Sequence, residues 1–185
     1  IMQNLLPKLW SDDCYHSVVP ATIRVGLRRA ESGWVSRRID ARQTDFDIWY
    51  VAAGAGAVQV DGQWHDFGAG DLICLRPGSV YQRERAGEAE GFRIYFAHIL
   101  PFGREGHPLN AVLAEAWPVC MAVVHRPAFL SLFDRLFEAY ATRTAWYSLT
   151  VTGLALQLLD AIFEELRRTG PAAPPPAGLR VLRAT

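Results

Sequence analysis

Between residues 20 and 100 the apolar positions come in short runs, not at helical spacing. TIRVGL, DIWYVAAG, AVQVDG, DLICL and FRIYFAHIL are rich in Val, Ile, Tyr and Trp. Breaks at Gly33, Gly54-Ala55-Gly56, Asp61-Gly62, Gly68 to Gly70 and Pro77-Gly78 separate them. Short strands with turn signals roughly every ten residues predict a sandwich or barrel. Asp61-Gly62, between AVQV and QWHDF, predicts a tight hairpin, because glycine takes the positive φ that such a turn needs.

After Pro101 the period changes. HPLNAVLAEAW (107–117) predicts a short helix. In RPAFLSLFDRLFEAYATR, Phe129, Leu132, Phe133, Leu136, Phe137 and Tyr140 recur at spacings of three and four, and Pro127 suits a first helical turn. A third helix is predicted from about Trp146 to Arg168, with Arg167-Arg168 at the negative end of its dipole and Gly170 as its stop. Leu154, Leu158 and Ile162 mark one side of it; Leu156, Leu159, Phe163 and Leu166 mark another. A helix apolar on two sides needs two covers. The preceding helix or the β region supplies one, and a second copy of the chain is expected to supply the other, with Leu154, Leu158, Ile162 and Leu166 at the dimer interface. GPAAPPPAG (170–178) then reads as an extended tether. With only LRVLRAT beyond it, a further domain past Thr185 is expected. The divisions are an N-terminal arm (1–19), a β-barrel (20–105), a helical dimerisation subdomain (106–169) and a linker (170–185).

Composition narrows the function classes. In 185 residues, 19 Lys plus Arg balance 19 Asp plus Glu, so no net charge draws these residues to a phosphate backbone. The three cysteines (Cys14, Cys74, Cys120) form no CxxC pair, and the first twenty residues lack a secretory signal pattern. A reducing, cytoplasmic setting is expected. The most apolar window (145–163) carries Gln157 and Asp160, which favours a core or interface helix over a membrane span.

The candidate chemistry centres on GDLICLRPGSVYQ (70–82). Gly70, Asp71, Pro77 and Gly78 followed by Tyr81 resemble the second motif of the cupin jelly-roll barrel, in which a histidine ligand stands where this chain has Tyr81. Counting back from Gly54 puts Asp47 at the first motif's glutamate and Gln43 or Arg42 at a histidine position. A divalent metal needs three or four aimed N, O or S ligands. The five histidines (16, 65, 98, 107, 125) have no short ligand spacing. Neither a metal nor another cofactor is expected.

Strand alternation gives a lining. If Asp47 points inward, Asp45, Trp49 and Val51 share its side, while Phe46, Ile48 and Tyr50 pack under the helices. If Tyr81 points inward, Ser79 and Arg83 accompany it. Arg42, Asp47, Trp49, Tyr81 and Arg83 are therefore the candidate ligand-binding residues, combining aromatic area with a few orienting charges. The alternative is that Asp47 pairs with Arg42 or Arg83 and plugs the barrel.

The order of parts (a metal-free cupin, two long antiparallel helices, a proline-rich tether) resembles the N-terminal regulatory half of an AraC-type transcriptional regulator. The Tyr-Val-x-x-Gly strand and the Gly-Asp-to-Pro-Gly strand within residues 42–82 carry the likeness. It implies a non-enzymatic domain that binds a small-molecule effector, a sugar or other small polar metabolite, and pairs as a homodimer through its C-terminal helices. DNA contact would come only through the absent C-terminal domain, with no membrane involved. The rival is a metal-independent cupin enzyme such as a sugar epimerase or isomerase, using Tyr81 and Asp47 as acid and base with His98. A dimerisation module without a ligand is the third reading.

Overall fold

The computed structural model describes residues 18–103 and 106–169. Its organising element is a 15-residue strand, β3 (Phe46–Val60), that belongs to two sheets in turn. The first half, from Phe46, lies between β7 (Phe92–Leu100) and β5 (Asp71–Leu75). Strand β1 (Ala21–Ala30) flanks β7, and β8 (Cys120–Ala122) flanks β5. The second half pairs with β4 (Gln63–Gly68) and β6 (Val80–Ala86), and β6 also pairs with β2 (Ala41–Arg42). The crossover sits at a register shift between Val51 and Ala53, followed by Gly54 at φ 79°. A Cβ at Gly54 would lie 1.8 Å from the Gly91 carbonyl oxygen, so no other residue fits this corner. Asp61-Gly62 closes the β3–β4 hairpin with φ of 49° and 82°, as its dipeptide predicts.

Because β3, β5 and β7 are buried on both sides, their alternation feeds two cores. Trp49, Val51, Ile73, Leu75 and Ile94 join Val58, Val60, Phe67 and Tyr81 between the sheets. Phe46, Ile48, Tyr50, Leu72, Cys74, Tyr95, Ala97 and Ile99 face the helices. These are α1 (Pro108–Ala116), α2 (Arg126–Thr142) and α3 (Tyr147–Thr169). Two outward tyrosines moor α2. The Tyr50 hydroxyl donates to the Arg126 carbonyl at 3.0 Å, and the Tyr95 hydroxyl donates to Asp134 Oδ1 at 2.7 Å. Phe133 stacks on Tyr50 with centroids 5.7 Å apart. Arg76 Nη1 donates to the Ala114 and Trp117 carbonyls, placing a cation at the negative end of α1. The fold is mainly β, a cupin-like barrel followed by helices.

Two expectations are corrected. The segment from 106 to 169 is not purely helical: Cys120–Ala122, bracketed by helices, returns to the edge of the barrel as β8. Leu154, Leu158, Ile162 and Leu166, expected at a dimer interface, are only 0–5% exposed within one chain, packed in the core beneath α2 and the first sheet. Helical periodicity reveals an apolar side but not what covers it. The side of α3 that stays open carries Leu149 at 67% and Leu156 at 41% exposure, with Trp146 at 77% just before the helix. The expected N-terminal arm and proline-rich linker lie largely or wholly outside the described residues.

Candidate functional site

Inside the barrel the apolar lining is interrupted by charge. Trp49 from β3 and Tyr81 from β6 meet edge to face, with ring centroids 5.9 Å apart. Arg28 enters from β1, and its guanidinium carbon lies 4.3 Å from the Trp49 ring centroid. Glu84 enters from β6, with its Oε2 2.6 Å from Arg28 Nη2. The approach is out of line: Arg28 Nε and Nη2 and Glu84 Oε2 are all buried without completing a hydrogen bond. Burial pushes the Glu84 carboxyl up to about 7, against the attraction of Arg28 and with help from the charge of Asp47. The same burial, with Glu84 nearby, pushes the Tyr81 hydroxyl to about 12. Ser36 fixes the backbone of Glu84: the Ser36 amide donates to the Glu84 carbonyl at 2.9 Å, and the Glu84 amide donates to Ser36 Oγ at 2.8 Å.

A second polar group sits where β3 begins. His98 on β7 pairs in register with Asp47. Its Nδ1 lies 3.1 and 3.2 Å from the two Asp45 oxygens, and its Nε2 lies 3.5 Å from Asp47 Oδ1. Burial alone would lower the His98 pKa. The hydrogen bond with Asp45 and the charges of Asp47 and Asp45 outweigh it and raise the value. The Asp47 carboxyl is also raised, because burial exceeds the help from His98, from a Trp49 hydrogen bond and from Arg28. Its Oδ1 is buried without a hydrogen bond. Among the described residues no three His, Cys, Asp or Glu side chains are grouped to hold a metal ion.

Of the five residues read from sequence as ligand-binding, the structure brings Asp47, Trp49 and Tyr81 together and leaves two outside. Arg42 is exposed and donates to the Gly78 carbonyl at 2.8 Å, which locks a turn. Arg83 is exposed because β6 is not a regular strand. Val60 pairs with Tyr81 but Gln59 pairs with Arg83, so Gln82 is an extra residue and the alternation changes phase after Tyr81. Glu84 thereby takes the inward place that strict alternation gives Arg83. Ser79 is buried, with its hydroxyl donating to the Arg76 carbonyl. The plug expected of Asp47 with Arg42 or Arg83 is absent; Arg28 and Glu84 form the interior ion pair instead. Arg28 was legible in principle, since Val25 and Leu27 on β1 point to the helices and leave Gly26 and Arg28 on the other face. A Cβ at Gly26 would fall 2.3 Å from the Phe96 ring, so glycine makes room for that ring in the barrel.

A protein-family model for the AraC-like ligand binding domain matches residues 25–159 of this chain. The chain belongs to that family. It is a regulatory, effector-binding domain of the AraC type. ToxT from Vibrio cholerae with an unsaturated fatty acid bound is 8% identical, with TM-score 0.53, covering 80% of this chain and 55% of ToxT. ToxT bound to (E)-4-(8-methylnaphthalen-1-yl)but-3-enoic acid is 7% identical, with TM-score 0.52, covering 80% and 57%. A cupin protein from Bacteroides fragilis is 16% identical over 46% of this chain and 72% of its own, with TM-score 0.39. The AraC-type chain thus spans little more than half the length of the ToxT structures. A comparison with curated proteins finds no match. No helix among the described residues is long and apolar enough to cross a membrane.

Proposed function

We propose that this domain senses a small polar metabolite inside the barrel without a metal, and that it pairs with a second copy through its last helix. DNA binding falls to a domain outside these residues, and the site of action is the cytoplasm, where Cys74 and Cys120 are free thiols. The observation that carries the effector reading is the set of desolvated polar groups around Trp49. Asp47, Glu84 and Arg28 stand in a barrel whose stability alone favours apolar side chains of similar volume. Aromatic walls with a few orienting polar groups are the usual make-up of a small-molecule site. The organic acids named with ToxT support a ligand role for a domain of this fold.

The dimer reading rests on the open side of α3. Leu149 and Leu156 lie there with Gly153 between them, where an added Cβ would meet nothing within 4 Å.

A thermal-shift screen of residues 1–185 against pentoses, hexoses, polyols and short carboxylic acids tests the effector reading. A ligand of the folded state at a hundred times its Kd adds about 2.7 kcal/mol of stability. The rise in Tm is expected to vanish in Trp49→Ala. A panel that leaves the wild-type Tm unmoved, or a rise that survives Trp49→Ala, counts against it.

A further inference from the structure

The Arg28–Glu84 pair is lopsided. The Arg28 side chain is 30% exposed, with its Nε and Nη2 buried, whereas the whole Glu84 side chain is only 2% exposed. Nε and Nη2 form one edge of the guanidinium, the edge that grips a carboxylate with two parallel hydrogen bonds. Here Nη2 lies against Glu84 Oε2 out of line, and neither Nε nor Nη2 completes a hydrogen bond. Beside it stand Trp49 and Phe92, whose ring centroids lie 4.3 and 5.8 Å from the guanidinium carbon, an apolar wall for a hydrocarbon tail.

Resting on the effector-binding reading, we propose that Arg28 is a carboxylate site filled from within the chain by Glu84, and that a monocarboxylate effector takes Glu84's place as Glu84 gains a proton from solvent. The exchange leaves the interior charge unchanged: one carboxylate arrives as another is neutralised. Groups facing Glu84 from each neighbouring element favour it. Asp47 on β3 repels its charged form, Tyr81 on its own strand stays a neutral phenol, and Ser36 bonds its backbone, which leaves Arg28 as the cation that holds it ionised. With Glu84 titrating at about 7, protonation near neutral pH requires little free energy. The same geometry makes the domain reject carboxylates at alkaline pH.

The test is a titration of residues 1–185 with sodium butyrate, followed by the Arg28 Nε–H and Trp49 indole N–H resonances. Butyrate is expected to shift both saturably, binding about tenfold more tightly at pH 6 than at pH 8. Butyramide, of the same shape and neutral, is expected to shift neither. Glu84→Gln is expected to bind butyrate at pH 8 as tightly as wild type does at pH 6, with no pH dependence. Arg28→Met is expected to lose binding at both. Wild-type binding independent of pH, or Glu84→Gln blind to butyrate, overturns the proposal. If a neutral sugar or polyol shifts the Trp49 signal and butyrate does not, the carboxylate class fails while the effector reading stands. If no compound shifts any barrel resonance, both fail.

Discussion

The two cores draw on the same strands and differ in kind. On one side of β3, Phe46, Ile48 and Tyr50 meet Trp117, Phe129 and Phe133 in a largely apolar layer, where the tyrosine hydroxyls are hydrogen-bonded and the buried Glu165 of α3 accepts from the Val124 amide. On the other, Asp47 and Trp49 share their space with Arg28 and Glu84, and several polar atoms there complete no hydrogen bond. The first arrangement maximises burial. The second gives up stability to keep charge away from water, as a protein does where recognition is the purpose. One strand, read at successive residues, serves both ends.

If that contrast is real, substitutions on the two sides must diverge. Phe133→Ala, on the helix side, is expected to lose about 3–5 kcal/mol, read by urea denaturation. Glu84→Gln, on the barrel side, should do the opposite despite breaking an ion pair. The folded state holds the Glu84 proton more tightly than the unfolded state, because its carboxyl is raised from 4.5 to about 7. Wild-type stability attributable to Glu84 therefore falls as pH rises through that window and is flat above it, by about 3 kcal/mol in all. The variant is expected to be more stable than wild type at pH 8 and equal to it near pH 4. Equal stabilities at pH 8 would show that Arg28 fully compensates Glu84.

The smallest effect on stability is expected on the open side of α3. Leu149→Ala should change chain stability by no more than about 0.5 kcal/mol, whereas Leu158→Ala loses about 2–5 kcal/mol. Leu149→Lys with Leu156→Lys is expected to convert a dimer to a monomer in sedimentation without altering the fold. A wild-type monomer at micromolar concentration would remove the pairing proposal.

How much of this was legible in the sequence follows from which signals are local. The Phe46 to Val51 alternation is a local rule, and it sorted Trp49 from Tyr50 correctly. So did Asp61-Gly62, whose turn needs only its own two residues. The spacing of Phe129, Phe133 and Leu136 placed α2 against the core. What failed depended on partners. Nothing in VYQRERA announces that Gln82 is extra, because the extra residue is defined only against Val60 and Gln59 across the sheet. Likewise, both sides of α3 are apolar, and only the packed chain shows that Leu154 and Leu158 face inward. A charged residue such as Arg28 on a strand reads as solvent-facing unless its neighbours' directions are followed.

The irregularity in β6 also bears on how relatives of this domain should be aligned. Tyr81 and Glu84 both point inward although three positions apart, an odd separation that an unbroken strand forbids. The extra residue is held by its side chain: Gln82 Oε1 accepts from the Gly62 amide at 2.6 Å, and Nε2 donates to Asp40 Oδ1 at 3.3 Å. A relative without that residue would present the same aromatic and the same acid at a separation of two. Aligned column by column, one of the two would seem to have lost its acid, or to have exchanged it for a base. The quantity the barrel preserves is direction, and in this strand direction and sequence position are out of step by one.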